Sequence, residues 1–128
     1  MNLLIDTHAV LWLMNEHEKL PPKVKSLLIS EEHELYLSIA SLWEMAIKAS
    51  IGKLIELEGG VAQLIMQLDK MPVQILPLSL RCVEIVELLP YIHRDPFDRV
   101  LVATAIAENM AIITADEDIK KYDVLTVW

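Results

Sequence analysis

The sequence predicts an α/β fold, in which a central, mostly parallel sheet carries helices on both faces. Short apolar runs of strand length alternate along the chain with longer segments whose apolar residues recur every three or four positions. No tight hairpin signal joins two of the apolar runs, so neighbouring strands need helical crossovers and run parallel. The alternation therefore indicates an α/β sandwich.

The first half of the chain contains two predicted strands and three predicted helices. Residues 2–5 form an apolar run too short for a helix, and Thr7–Asn15 has helical composition. Two consecutive prolines then mark a break and the start of a helix over Pro22–Ser30. Glu34–Ile39 alternates as a strand does, and Ala40–Ser50 has the apolar spacing of a long helix.

The second half repeats the alternation after a glycine-containing break. Val61–Lys70 is predicted as an amphipathic helix, and Val73–Leu76 as a strand bounded by prolines. Leu80–Leu89 is predicted as a helix that ends at a proline, and Phe97–Asn109 as the next helix. Ala111–Thr114 is an apolar run that suits a fourth strand.

The predicted order closes with a short helix over Glu117–Lys121 and a final strand over Val124–Val127. The chain has 128 residues, of which 54% are hydrophobic, and we expect one domain over residues 1–128. No internal repeat or low-complexity linker suggests a second domain.

The composition constrains the expected location and partners of the protein. No stretch approaches the roughly 18–20 apolar residues of a membrane helix, and the apolar start lacks the basic region of a secretory signal. Cys82 is the single cysteine, so we expect no internal disulfide and a cytoplasmic location. The net charge of −8 argues against a nucleic-acid partner, although a metal cluster and local groups such as Lys48/Lys53 and Arg94/Arg99 weaken that objection.

Four carboxylates lie beside strongly apolar segments, where an unpaired charge is costly. They are Asp6, Glu44, Asp98 and Asp116. Asp6 and Asp116 directly follow predicted strands one and four, and ligands bind at the carboxyl ends of the strands in an open parallel sheet. Both aspartates could instead cap the helices that follow them.

Glu44 and Asp98 lie in predicted helices and also have alternative interpretations. Glu44 flanks the apolar face of its helix, and Lys48 at i+4 could form an ordinary surface pair with it. Asp95 followed by Pro96 suits a helix cap. Asp98 falls in the first turn, where a carboxylate suits the helix dipole, but the helix is so apolar that Asp98 should face a crevice or the sheet edge.

Together the four carboxylates predict a site for Mg²⁺ or Mn²⁺, whose preferred ligands are carboxylate oxygens. Such a site suits phosphoryl chemistry. No cysteine/histidine spacing suits zinc and no glycine-rich loop suits a nucleotide. Of the scattered histidines, His93 beside the acidic loop is a candidate for substrate contact.

The motifs around these residues resemble those of PIN domains, and specifically the VapC-type toxins of toxin–antitoxin pairs. The resemblance spans nearly the whole chain and rests on four segments in suitable order: Leu3-Leu4-Ile5-Asp6-Thr7-His8, Ser38-Ile39-Ala40-Ser41-Leu42-Trp43-Glu44, His93-Arg94-Asp95-Pro96-Phe97-Asp98-Arg99 and Ile113-Thr114-Ala115-Asp116. It implies a three-layer α/β/α sandwich and an endoribonuclease dependent on Mg²⁺ or Mn²⁺ that leaves 5′-phosphate and 3′-hydroxyl ends.

The resemblance also implies roles for individual residues. Asp6, Glu44 and Asp98 match the family's core metal ligands, and Asp116 its more variable fourth acidic position. Supporting roles would fall to Thr7 and Thr114, whose hydroxyls would hold the carboxylates, to Asp95 and Arg99 in the third motif, and to Asp118 as an alternative to Asp116. The implied partners are an RNA substrate, a cognate antitoxin that covers the site, and a second copy of the chain in a homodimer.

Two other interpretations remain at this stage. The chain could be a PIN-fold interaction protein with weak or no catalysis. It could also be a phosphoacceptor receiver domain, whose length, acidity and aspartate after strand one are similar, although Val73–Pro77 offers no acceptor carboxylate.

Overall fold

A computed structural model of the chain describes residues 1–53 and 57–128, and these form one five-stranded sheet with helices on both faces. The strand order is β3-β2-β1-β4-β5, and every pairing is parallel. The bounds are β1 Asn2–Ile5, β2 Glu34–Ser38, β3 Val73–Leu76, β4 Ala111–Ile113 and β5 Thr126–Val127. The parallel sheet expected from the alternation is confirmed.

Six α-helices and one short 3₁₀ helix connect the strands within the described residues. They are α1 Thr7–Met14, α2 Pro22–Ile29, α3 Ile39–Ser50, α4 Gly60–Leu68, α5 Leu80–Leu88, α6 Pro96–Glu108 and the 3₁₀ helix Ile119–Lys121. None of these helices is both long and apolar enough to cross a bilayer.

Two hydrophobic clusters lie on opposite faces of the sheet because alternate residues of β1 point in opposite directions. Leu3 and Ile5 pack with residues of α1, α2, α3 and α4. Leu4 packs on the other face with Ile112 and with Leu101 and Val102 of α6. The two clusters confirm the three-layer α/β/α sandwich.

The predicted elements are all present, and the differences concern their ends. Asp95 caps α6, so this helix begins at Pro96 rather than Phe97, and it ends at Glu108 because Asn109 adopts a left-handed conformation with φ 54°. The predicted helix over Glu117–Lys121 is a single 3₁₀ turn. The final strand is shorter than predicted, although the carbonyl of Leu125 still accepts a hydrogen bond from Ile112 N–H.

The topology contradicts the receiver-domain alternative. Receiver domains have the strand order 2-1-3-4-5, which places strand three beside strand one. Here β3 lies at the sheet edge beyond β2, and β1 is flanked by β2 and β4. The switch in strand order therefore occurs between β1 and β4, and the residues after those two strands share one crevice.

Candidate metal centre

Asp6 lies in this crevice as a buried carboxylate held by hydrogen bonds from two elements. Its backbone N–H continues the sheet by donating to Ile113 O, and its side chain is only 5% exposed. Thr114 Oγ1 donates to Asp6 Oδ2 over 2.6 Å, and His8 N–H donates to Oδ1 over 3.3 Å as α1 begins. Burial nevertheless raises the pKa of Asp6 above its usual value. Asp6 is thus both the expected cap of α1 and a member of the acidic cluster.

Asp116 also combines the two roles that the sequence left open. Its Oδ1 accepts hydrogen bonds from the N–H groups of Asp118 and Ile119 and so caps the 3₁₀ turn. Its Oδ2 faces the ring of His93, at 3.3 Å from Nε2. Burial acts to raise the pKa of Asp116, but the backbone hydrogen bonds and His93 outweigh it and lower that pKa.

Asp98 projects from the first turn of α6 towards the same histidine. Its Oδ2 lies 3.0 Å from His93 Nε2. Burial, together with the negative charges of Asp95 and Asp6, raises the pKa of Asp98 to about 7. A carboxyl group with this pKa is short of positive charge in its surroundings.

Glu44 is buried in α3, with an exposed fraction of 5%, and two groups contact its carboxylate. Thr7 Oγ1 donates to Glu44 Oε1 over 3.0 Å, which ties α3 to the residue next to Asp6. Lys48 Nζ lies 2.7 Å from Oε2, and this hydrogen bond raises the pKa of Lys48. The Glu44–Lys48 pair expected as a surface alternative is present, but its acidic member is buried.

His93 is the residue that joins the cluster most directly and that the sequence identified only as a candidate for substrate contact. One ligand atom each from His93, Asp98 and Asp116 lie within 4.8 Å of one another. Burial acts to lower the pKa of His93, but Asp116 and Asp98 outweigh it and raise that pKa. Its position beside Asp95-Pro96 in the sequence was the available signal, although no spacing rule identifies such a contact.

Of the five residues expected to support the site, three occupy supporting positions. Thr7 and Thr114 donate to Glu44 and Asp6, as described above. Asp95 caps α6, where its Oδ1 accepts from Phe97 N–H over 2.8 Å, and thereby holds Asp98 in the first turn. The side chain of Asp118 pairs with Lys121 over 3.0 Å, whereas its backbone N–H donates to Asp116 Oδ1.

Arg99 does not face the cluster, although the sequence grouped it with Arg94 as a local positive charge that could hold phosphate. Its guanidinium is buried and donates to the carbonyls of Pro90 and Val86 and to the hydroxyl of Tyr122. Because these acceptors use the donors of Arg99, its role is to join α5 to α6. The phosphate-binding interpretation of Arg99 has no support in this geometry.

The donor set fits a hard divalent cation. Asp6 is buried and Asp98 is partly buried, and burial raises the pKa of both carboxyl groups. Asp98 Oδ2 and Asp116 Oδ2 both lie against His93 Nε2. Carboxylate oxygens with one imidazole nearby suit Mg²⁺ or Mn²⁺ better than soft metals. His93, Asp98 and Asp116 offer ligand atoms within 4.8 Å of one another and could hold such an ion, and Asp6 lies close enough for its charge to act on Asp98.

Sequence comparison assigns a family to this arrangement of carboxylates. Residues 3–125 match the family model described as PIN domain. No curated protein sequence matches the chain.

Three solved structures have the same fold. A chain of VapBC2 from Rickettsia felis, bound to a DNA fragment from their promoter, matches with a TM-score of 0.73 and 18% identity, covering 99% of this chain and 98% of that chain. VapBC-1 from nontypeable Haemophilus influenzae matches with a TM-score of 0.64 and 19% identity, covering 99% and 97%. FitAB bound to the IR36 DNA fragment matches with a TM-score of 0.63 and 20% identity, covering 98% and 93%. At these identities the likeness establishes the fold.

Proposed function

The chain belongs to the PIN domain family, and from this premise we propose that it is a divalent-metal-dependent endoribonuclease and the toxin of a toxin–antitoxin pair. PIN domains are typically nucleases, and the structures of similar fold are toxin–antitoxin complexes. We assign the site residues, the metal and the RNA substrate as part of this proposal.

One observation carries the proposal. Asp6, Asp98 and Asp116 come from three separate parts of the chain and lie close enough for their charges to act on one another, while the hydroxyls of Thr114 and Thr7 hold Asp6 and the buried Glu44. Structural carboxylates at helix starts do not need to converge, whereas a metal-dependent nuclease does need several of them in one crevice.

Each residue has a distinct task in this proposal. Asp6, Asp98 and Asp116 would hold Mg²⁺ or Mn²⁺, with Glu44 as a further ligand on the α3 side. Bound metal supplies a nucleophilic hydroxide at neutral pH and neutralises charge on the phosphoryl group. Thr7 and Thr114 fix the orientation of Glu44 and Asp6. His93 lies between Asp98 and Asp116, where it can hold a proton at Nε2 and hydrogen-bond an oxygen of the substrate.

The decisive experiment measures cleavage of a panel of single-stranded RNAs with Mg²⁺, with Mn²⁺ and with chelator. We expect metal-dependent cleavage by the wild-type chain and a loss of at least 100-fold in Asp6→Asn and Asp98→Asn, because each removes a proposed metal ligand. Asp69→Asn, an exposed aspartate at the end of α4, is the matched control and should keep full activity.

Two outcomes would separate the alternatives. Cleavage that survives in Asp6→Asn would show that the activity does not come from this site. Manganese binding without cleavage of any RNA would favour the catalytically inactive interaction protein instead.

The proposed antitoxin is a small protein that covers the site, by analogy with the complexes of similar fold. Expression of the wild-type chain should arrest growth, and co-expression of its cognate antitoxin should relieve the arrest. Asp98→Asn should cause no arrest with or without the antitoxin.

The proposed homodimer is supported by exposed apolar side chains on α5. Leu80, Val83 and Leu88 are 84%, 58% and 80% exposed, which is a high cost for a monomer in water. Light scattering after gel filtration should give a dimer for the wild type and a monomer for Leu80→Glu/Val83→Glu. Ile29→Glu is the control, because it also replaces an exposed apolar residue with glutamate but lies at the end of α2. This variant should remain dimeric.

A further inference from the structure

A cavity of about 250 Å³ opens directly beside the carboxylates. Asp6 and Asp116 form one wall, and Ala9 and Ala115 leave space because their side chains are small. The remaining walls are the side chains of His8, Trp12 and Trp128. The cavity thus shares Asp6 and Asp116 with the proposed metal centre, and two of its lining residues are tryptophans.

Trp12 organises these aromatic walls. Its ring packs edge-on against Trp128, with centroids 5.7 Å apart, and stacks on His17 at 5.4 Å. His8, one turn earlier on α1, lies 6.1 Å from the same ring. Both tryptophans are also anchored against the hydrophobic core below, so the aromatic surfaces are held in fixed positions.

The shape and charge of the cavity select a flat, uncharged occupant. A phosphate would be repelled by Asp6 and Asp116, and an aliphatic chain would make little use of two indole rings. With metal bound, the charge of the acidic wall is neutralised, so the loaded cavity is an aromatic slot beside a phosphate-binding centre. A nucleobase has π faces on which such rings stack. Its sugar is bonded to the phosphate that the metal would bind, so the base would lie next to the metal centre.

From these contacts we propose that the cavity lined by Trp12 and Trp128 is a base-stacking subsite for a nucleotide flanking the scissile phosphate of single-stranded RNA. The proposal rests on the proposed nuclease function and deepens it, because it requires an unpaired base next to the cleavage point. RNA whose flanking base is locked in a duplex would have to open before it is cleaved. The rival occupant is a cationic side chain of a protein partner, which the bare carboxylates would attract.

Indole N–H signals in ¹⁵N NMR spectra provide the test, because the chain contains three tryptophans and Trp43 lies outside the cavity. The wild-type chain is titrated in Mg²⁺ with adenosine 5′-monophosphate, uridine 5′-monophosphate, ribose 5-phosphate and an arginine amide. We expect the nucleotides to shift the signals of Trp12 and Trp128, ribose 5-phosphate to leave them in place, and the Trp43 signal to move with none of them.

Three NMR results would overturn the proposal. If the nucleotides do not shift the signals of Trp12 and Trp128, no base binds in the cavity. Equal shifts with ribose 5-phosphate would mean that the phosphate alone is sensed. Shifts with the arginine amide but not with nucleotides would assign the cavity to a protein side chain.

Cleavage kinetics separate failure of the subsite from failure of the nuclease. Trp12→Leu should lower kcat/KM for single-stranded RNA by roughly 5-fold or more, mainly through KM, since a stacked base is lost. Trp12→Phe should recover much of this loss, and Trp43→Leu should match the wild type. Thermal unfolding of each variant shows whether the fold is retained.

An RNA oligonucleotide with an abasic residue at the flanking position tests whether the base itself is bound. Wild type and Trp12→Leu should cleave it equally slowly. If the wild type cleaves normal RNA and Trp12→Leu cleaves it equally fast, the subsite is overturned but the nuclease function is not. If no RNA is cleaved and no nucleotide moves the indole signals, both the subsite and the nuclease function fail.

Discussion

At the scale of single residues, the site depends on hydroxyl groups that hold buried carboxylates. Thr114 Oγ1 donates to Asp6 and accepts from Asp116 N–H over 3.0 Å, so one side chain sets the relation between two proposed ligands. Thr7 Oγ1 donates to one proposed ligand, Glu44. Such supporting groups tune a metal site because they orient the ligands and stabilise their charged forms.

Replacement of Thr114 by Val should weaken metal binding without removing a ligand. Loss of the hydrogen bond raises the pKa of Asp6 further, because the Thr114 hydroxyl lowers it in the wild type. We expect the Mn²⁺ affinity to fall about 10- to 100-fold, as measured by calorimetric titration.

Thr114→Ser is the matched control, since it keeps the hydroxyl and loses one methyl group. It should bind Mn²⁺ within a few-fold of the wild type. Equal affinities in Thr114→Val and Thr114→Ser would mean that the hydroxyl does not position Asp6.

At the scale of elements, the beginnings of helices form the platform of the site. Asp6 begins α1, Asp95 and Asp98 lie in the first turns of α6, and Asp116 caps the 3₁₀ turn. Free N–H groups at helix starts stabilise negative charge, which partly offsets the cost of gathering carboxylates. Capping and metal binding are therefore compatible roles, and the sequence presented them as alternatives.

Substitutions of Asp95 should separate its effect on the stability of the fold from its effect on the pKa of Asp98. Asp95→Ala loses the cap of α6 and should destabilise the fold by about 1 kcal/mol in urea unfolding. Asp95→Asn keeps an effective cap and should recover most of that stability. It should also bring the pKa of Asp98 closer to its usual value, because the charge of Asp95 helps to raise it.

NMR titration of the Asp98 carboxyl carbon would check the second half of this prediction. A pKa that stays at about 7 in Asp95→Asn would show that the charge of Asp95 does not contribute to it. A loss of stability in Asp95→Asn as large as in Asp95→Ala would contradict the capping role.

At the scale of the whole molecule, the carboxyl groups gathered in the crevice make the stability of the metal-free protein depend on pH. The folded state holds the proton of Asp98 more tightly than the unfolded chain, with a pKa of about 7 against the usual 3.8. Stability from this group therefore falls as pH rises from about 4 to 7. Asp6 acts in the same direction, and His93 adds to the fall at higher pH because its pKa is also raised. Asp116, whose pKa is lowered, contributes stability that is constant above its usual pKa of 3.8 and is lost only as the pH falls below that value.

Thermal unfolding at several pH values should show this dependence and its removal by metal. In chelator, Tm should be lower at pH 8 than at pH 6. Saturating Mn²⁺ should raise Tm on the order of 10 °C at pH 8 and much less at pH 5.5, because bound metal requires the ionised carboxylate.

Asp98→Asn provides the control for the assignment. In chelator its Tm should change less between pH 6 and pH 8 than that of the wild type. A wild-type Tm that rises with pH over this range would contradict the proposed crowding of charge.

The sequence alone determined the order and type of the elements and the identity of the four carboxylates. Strand runs and helical periodicity are local signals, and the apolar segments around Asp6 and Asp98 made each charge conspicuous. The ends of α6 and the 3₁₀ turn were less well determined, because caps and left-handed residues act over only one or two positions.

Only the tertiary structure decided which side chains share the crevice. His93 lies 3.0 Å from Asp98 and 3.3 Å from Asp116, whereas Arg99, one residue from Asp98, turns away to bind the carbonyls of Pro90 and Val86. Trp12 and Trp128, which are far apart in the sequence, meet beside Asp6. The physical reason is that these contacts depend on strand order and on how helices pack across the sheet, which no local pattern encodes.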